Sequence, residues 1–141
     1  NTSHAIKLDL NGKEVWKTAI AGSPTQALLA TDAYVFVGDH SGNLYCLDNQ
    51  NGTLLWQQDT AGKLNAGAVT SALLYSNNVV FVGNTSKRIV ALECRQGKIL
   101  WEYESEENFV NQPVLAQNTL FIGSEKGRLY ALWVGDFLKK P

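Results

Sequence analysis

Along almost the whole chain, apolar and polar residues alternate at period two in short runs rich in Val, Ile, Phe and Tyr, and Gly or Asn interrupts these runs about every 8–12 residues. That pattern predicts β-strands joined by tight turns, because successive side chains of a strand point to opposite faces of a sheet. No stretch sustains the 3.6-residue stripe of an amphipathic helix.

The runs recur in phase. Val35-Phe36-Val37-Gly38, Val80-Phe81-Val82-Gly83 and Leu120-Phe121-Ile122-Gly123 each lead through a polar turn into a second apolar run, 43–47, 88–92 and 128–132. Two copies continue into Gly52-Thr53-Leu54-Leu55-Trp56 and Gly97-Lys98-Ile99-Leu100-Trp101, and the N-terminus carries this half alone as Gly12-Lys13-Glu14-Val15-Trp16. The tryptophans therefore recur at spacings of 40 and 45 residues. A period of that length with four short strands per unit predicts the blade of a β-propeller, one twisted four-stranded antiparallel sheet. In each unit we read an innermost strand (26–30, 68–74, 112–116), a second (34–37, 79–82, 119–122), a third (43–47, 88–92, 128–132) and an outer strand ending at or just past each tryptophan. The fold class expected is all-β, about three and a half blades, divided as a half-blade over 4–22, blades over 23–62 and 63–106, and a partial blade over 107–141.

The stretch from Cys46 through Asp48 and Gly52 to Trp56 resembles the tryptophan-docking motif of quinoprotein-type (PQQ-like) propellers, Ala-x-Asp-x-x-x-Gly-x-x-x-Trp, with Cys46 in place of Ala. Ala91, Glu93, Gly97 and Trp101 form a second copy with Glu in place of Asp. In the first copy Asp9 stands one residue too close to Gly12; in the last, Ala131 is followed by Trp133 where Asp would stand. The repeat decays after Leu132, from which a boundary near Pro141 is expected. The resemblance implies a structural role for Trp16, Trp56 and Trp101, each indole filling the wedge between blades while the small residue at Cys46, Ala91 or Ala131 makes room for it. It also implies contexts in which such a propeller contributes recognition: a scaffold lipoprotein of outer-membrane assembly, the sensor domain of a membrane kinase, or the C-terminal propeller of a multidomain adenylating enzyme. The quinone dehydrogenases of the same repeat type hold their cofactor with an acidic, oxygen-rich Ca²⁺ cage and a vicinal cysteine pair. This chain has no Cys-Cys, so a fragment of such an enzyme is the alternative and no cofactor is expected.

Charge changes the picture by exclusion. Twelve Lys and Arg against 13 Asp and Glu leave no concentrated basic field for nucleic acid. No apolar run approaches the roughly 18 residues of a spanning helix, so membrane insertion is not expected. Cys46 and Cys94 lie in neighbouring units; a disulfide between them would cross blades, and the alternative is two small buried apolar side chains. Asp39-His40-Ser41 has the residue types of a hydrolytic relay, but adjacent residues on a tight turn do not aim at one another, and a polar hairpin is the simpler reading. The acidic run Glu102 to Asn108 reads as a solvated connection.

Binding residues are expected on the loops that follow each outer strand: Ser23 in 21–24, Lys63 and Asn65 in 60–65, and Glu106, Glu107 and Asn108 in 105–111. An arc of this length cannot close a ring, so its end blades leave apolar faces open. The expected partner is a protein, either a second copy in a homodimer or the remainder of a longer chain completing the propeller. The function expected is a non-catalytic interaction scaffold, with a purely ring-completing segment as a further alternative.

Overall fold

The computed structural model describes residues 2–62, 67–70 and 73–138. Among these, thirteen strands form four antiparallel sheets. The first pairs β1 (Ser3–Leu8) with β2 (Glu14–Ile20). The second runs in order through β3 (Pro24–Ala30), β4 (Tyr34–Asp39), β5 (Asn43–Asp48) and β6 (Leu54–Asp59). The third comprises β7 (Leu74–Ser76), β8 (Val79–Gly83), β9 (Arg88–Glu93) and β10 (Ile99–Glu104), and the fourth β11 (Val114–Ala116), β12 (Thr119–Gly123) and β13 (Leu129–Trp133). A single helical turn, α1 (Gly135–Leu138), ends the described chain. The all-β propeller reading holds, and the sheets form an open arc.

Two strand expectations are corrected. The outer strands run on to Ile20, Asp59 and Glu104, well past their tryptophans. The innermost strand of the third sheet is Leu74–Ser76 rather than 68–74: Val69 makes only an isolated bridge to Asn84, and residues 71–72 lie outside the described residues.

Each turn type has its own chemistry. Between innermost and second strands, Asn77-Asn78 and Gln117-Asn118 all take positive φ, the two-residue turn whose twist matches that of the flanking strands. Between third and outer strands an acidic side chain accepts the turn's N–H groups. Asp9 Oδ1 takes Asn11 (2.8 Å) and Lys13 (2.9 Å), Asp48 Oδ1 takes Gln50 (2.7 Å) and Asn51 (3.1 Å), and the Glu93 carboxylate takes Arg95 (2.7 Å) and Gln96 (2.8 Å). Glu93 is longer by one methylene and also receives Asn78 Nδ2 at 3.0 Å.

Between second and third strands the turn is held by a buried polar residue, Asp39, Asn84 or Ser124. Asp39 accepts the N–H of Ser41 (2.9 Å) and Asn43 (2.8 Å) and the Tyr45 hydroxyl (3.0 Å), so the Asp-His-Ser sequence is a hydrogen-bonded hairpin turn. Asn84 accepts the N–H of Ser86 and Arg88, and its Nδ2 donates to Thr60 O at 2.9 Å, tying the third sheet to the second.

The sheets pack face to face through three apolar clusters. Trp16 and Ile20 meet Val37, Tyr45 and Leu47; Phe36, Leu44 and Cys46 meet Val80, Val82, Val90 and Leu92; Phe81, Ile89 and Ala91 meet Leu120 and Ile122. Burying a side chain such as Phe36 or Phe81 contributes on the order of 1.5–3 kcal/mol.

Candidate docking surfaces

Each tryptophan sits in a register fixed by its neighbours. Trp16 pairs with Lys7, Trp56 with Cys46 and Trp101 with Ala91, and at all three places the register slips by one residue. The slips are β-bulges, which bend a strand and re-aim side chains. The residues left over, Val15, Leu55 and Leu100, are exposed apolar side chains on the rim.

The indoles then reach across to the next sheet. Trp16 Nε1 donates to Asn49 O at 2.9 Å, and Trp56 Nε1 donates to Cys94 O at 2.8 Å. Each ring lies over the glycine of the facing turn. A Cβ on Gly52 would stand 2.6 Å from Trp16 Cδ2, and one on Gly97 would stand 2.5 Å from Trp56 Cδ2. Both glycines also have positive φ, 75° and 71°, so they serve the turn and the docked ring together. Lys7 stands where the later units have Cys or Ala; its Nζ donates to Asn49 O (2.8 Å) and Oδ1 (2.9 Å), fastening the first sheet to the second.

The two cysteines are free thiols, both buried, with Cys46 Sγ 3.9 Å from Cys94 O. Burial pushes both thiols up to about 12, and for Cys46 the neighbouring Cys94 adds to the shift. They are unreactive wedge fillers in this state.

The loop residues are divided. Ser23 is exposed, and its carbonyl accepts His40 N–H at 2.9 Å. Lys63 and Asn65 lie outside the described residues. Glu106 is exposed and Asn108 half-buried, its Nδ2 donating to Glu125 at 3.1 Å. Glu107 is buried: Arg128 Nε lies 3.1 Å from its Oε1, and Ser124 Oγ donates to its Oε2. It therefore anchors the last sheet rather than a loop surface, and Glu102 is paired with Arg88. The run from Glu102 to Asn108 is therefore not the uniformly solvated connection its composition suggests. Ser124, at the position of Asp39 and Asn84, was the available signal that a buried polar turn stood opposite.

An open apolar surface lies on the outer face of the fourth sheet. Phe121 pairs laterally with Val114 and Ala131, placing all three on one face with Leu129 and Trp133. The matching positions of the inner sheets, Leu44, Cys46, Ile89 and Ala91, are wholly buried. Here Leu129 is 71% exposed, Trp133 57% exposed, and Ala131 is exposed as well.

Sheets of this order, joined by indoles seated on glycine turns, define a propeller of the quinoprotein type. The family model described as outer membrane protein assembly factor BamB matches residues 2–75 and 42–136, and the chain belongs to that family. Among solved structures it is similar to BamB from Moraxella catarrhalis, at 23% identity and TM-score 0.78, over 93% of this chain and 44% of that one. It is also similar to Sqt1 of Saccharomyces cerevisiae (16% identity, TM-score 0.71, 85% of this chain and 36% of that one). A third likeness is to the quinohemoprotein alcohol dehydrogenase ADHIIG of Pseudomonas putida HK5, at 16% identity and TM-score 0.68, over 83% of this chain and 20% of that one. A segment of 30 residues is 57% identical to the beta-alanine-activating enzyme of Danio rerio, 21% of this chain and 3% of that protein. The chain spans less than half the length of each of these proteins. At these identities the structural likenesses establish the fold.

Proposed function

We propose that the chain is a non-catalytic propeller scaffold for protein–protein interaction, working as part of a larger propeller or multidomain protein. The observation that carries this reading is the apolar face of Leu129, Ala131 and Trp133: the first two are uncovered at positions the same molecule buries in its inner sheets, and Trp133 extends the face where those sheets carry the half-buried Asp48 and Glu93. Contiguous exposed apolar surface marks interaction sites. The BamB family supports the reading, since its description names an assembly factor.

Light scattering coupled to size exclusion over a tenfold concentration range tests it. The expected result is a mass that rises above the monomer with concentration and returns to it when Leu129 and Trp133 are both replaced by lysine. Self-association that survives both replacements contradicts it, because another surface would then carry the interaction.

The likeness to a quinohemoprotein dehydrogenase favours the second reading, a fragment of a quinone-dependent enzyme. Absorption spectra of the protein with pyrroloquinoline quinone and Ca²⁺ separate the two: a saturable bound-quinone band supports the enzyme and its absence the scaffold.

A further inference from the structure

Two positions face each other at each joint between sheets. One is the residue paired with the tryptophan on the neighbouring strand: Lys7, Cys46 or Ala91. The other lies just past the third strand of the following sheet: Asn49, Cys94 or Val134, whose N–H donates to Ala33 O (3.0 Å), Asn78 O (3.0 Å) or Asn118 O (2.9 Å). At the first joint the two touch through their side chains, Lys7 Nζ on Asn49 Oδ1 at 2.9 Å. At the third, Ala91 and Val134 are buried in one apolar cluster. At the second joint both positions hold cysteine, and these are the only two cysteines of the chain.

The two thiols are held close together. Cys46 is fixed by the β5 ladder, and its Sγ lies 3.9 Å from Cys94 O. That carbonyl also accepts Trp56 Nε1 at 2.8 Å, so the Cys94 backbone is tied at both its N–H and its oxygen. Both side chains are wholly buried in the same cluster. Tyr34 packs half-buried against that cluster and senses both sulfurs: burial raises its hydroxyl pKa, and proximity to Cys94 and then Cys46 raises it further. The clasp that Lys7 and Asn49 make without a covalent bond is available to two thiols as one.

We infer that Cys46 and Cys94 are a redox site, which a low-molecular-weight disulfide oxidant closes into a bond locking the second sheet to the third. One protein thiolate attacks the oxidant's S–S bond, forming a mixed disulfide and expelling one thiolate. The second attacks the protein sulfur of that mixed disulfide and expels the other. The two protein thiols lose two electrons and two protons, and the oxidant leaves as two thiols. Burial keeps both thiols neutral while the wedge is closed, so the reaction passes through its transient opening, and the bond then holds the wedge shut. This redox site goes beyond the scaffold reading and is independent of it, because neither thiol lies on the face of Leu129 and Trp133.

The test equilibrates the full chain in buffers of oxidised and reduced glutathione, once native and once unfolded in urea, starting from both the reduced and the oxidised protein. Mass spectrometry after an acid quench reads the products. The expected product is an intramolecular disulfide, lighter by the hydrogens of both thiols, with the Cys46 and Cys94 peptides linked. It is favoured roughly thirtyfold or more in the native chain over the unfolded one, the factor by which such a cross-link stabilises a fold. Cys46→Ala, which places there the residue type of Ala91 and Ala131, keeps the fold by circular dichroism and goes no further than a glutathione adduct at Cys94. A disulfide no more favoured in the native chain than in the unfolded one overturns the inference, because the closed wedge would then reject the bond. Native products that stop at glutathione adducts, or that link two chains, overturn it as well.

Discussion

A methyl group at Gly97 would meet two separate obstacles. The backbone there has φ of 71°, where an L-residue costs about 1–2 kcal/mol, and the indole of Trp56 already occupies the space, so overpacking adds roughly another 1–3 kcal/mol. Gly12 is the equivalent residue of the first sheet, with φ of 78° and nothing within 4 Å of an added Cβ. Gly97→Ala is thus expected to destabilise by about 3 kcal/mol and Gly12→Ala by about 1 kcal/mol in urea unfolding. Equal losses would show that the docked ring contributes nothing beyond the turn. At this scale the motif was legible from the spacing of Gly52 to Trp56 and Gly97 to Trp101. The direction of docking was not: which sheet a ring enters depends on the bulges at Val15, Leu55 and Leu100, and an apolar run such as Leu54-Leu55-Trp56 has no alternation to mark one.

At the scale of the strand, the wedge between second and third sheets contains Cys46 of β5 and Cys94 just past the end of β9, and burial pushes both thiols from near 9 up to about 12. A raised folded-state pKa means the unfolded chain gives up its thiol protons first. The stability from keeping them neutral is complete below about pH 9 and is lost as pH rises toward 12. Stability measured by denaturant should therefore fall with a steeper alkaline slope in the wild type than in a Cys46→Ala, Cys94→Ala variant. A thiol reagent at neutral pH should label neither cysteine until the sheets separate. Rapid labelling of the folded chain would mean the wedge is open. Second, third and outer strands were readable because residues such as Ile6-Lys7-Leu8-Asp9 alternate or, like Val80-Phe81-Val82, form continuous apolar runs. The innermost strand of the third sheet was not, because Val69 contributes a single bridge and buries itself without extending a ladder.

Across the whole molecule the four sheets are unequal: the third is covered on both faces, the second on one face and part of the other, where Leu28 stays 64% exposed, and the first and fourth on one. The sequence carried this in the phase of its repeat, which begins and ends partway through a unit. It did not carry the burial of Glu107, which depends on Ser124 and Arg128 meeting it across the fourth sheet. The arc's exposed apolar positions, Ile6 and Leu8 at one end and Leu129 and Trp133 at the other, mark its two open faces. Hydrogen exchange resolved by strand on the isolated chain tests this most directly. The account predicts slowest exchange in β4, β5, β8 and β9, with β1 and β13 exchanging orders of magnitude faster because their outer faces and free edges are wet. Protection of β1 and β13 equal to that of β5 and β9 would contradict it, showing that the ends are already closed.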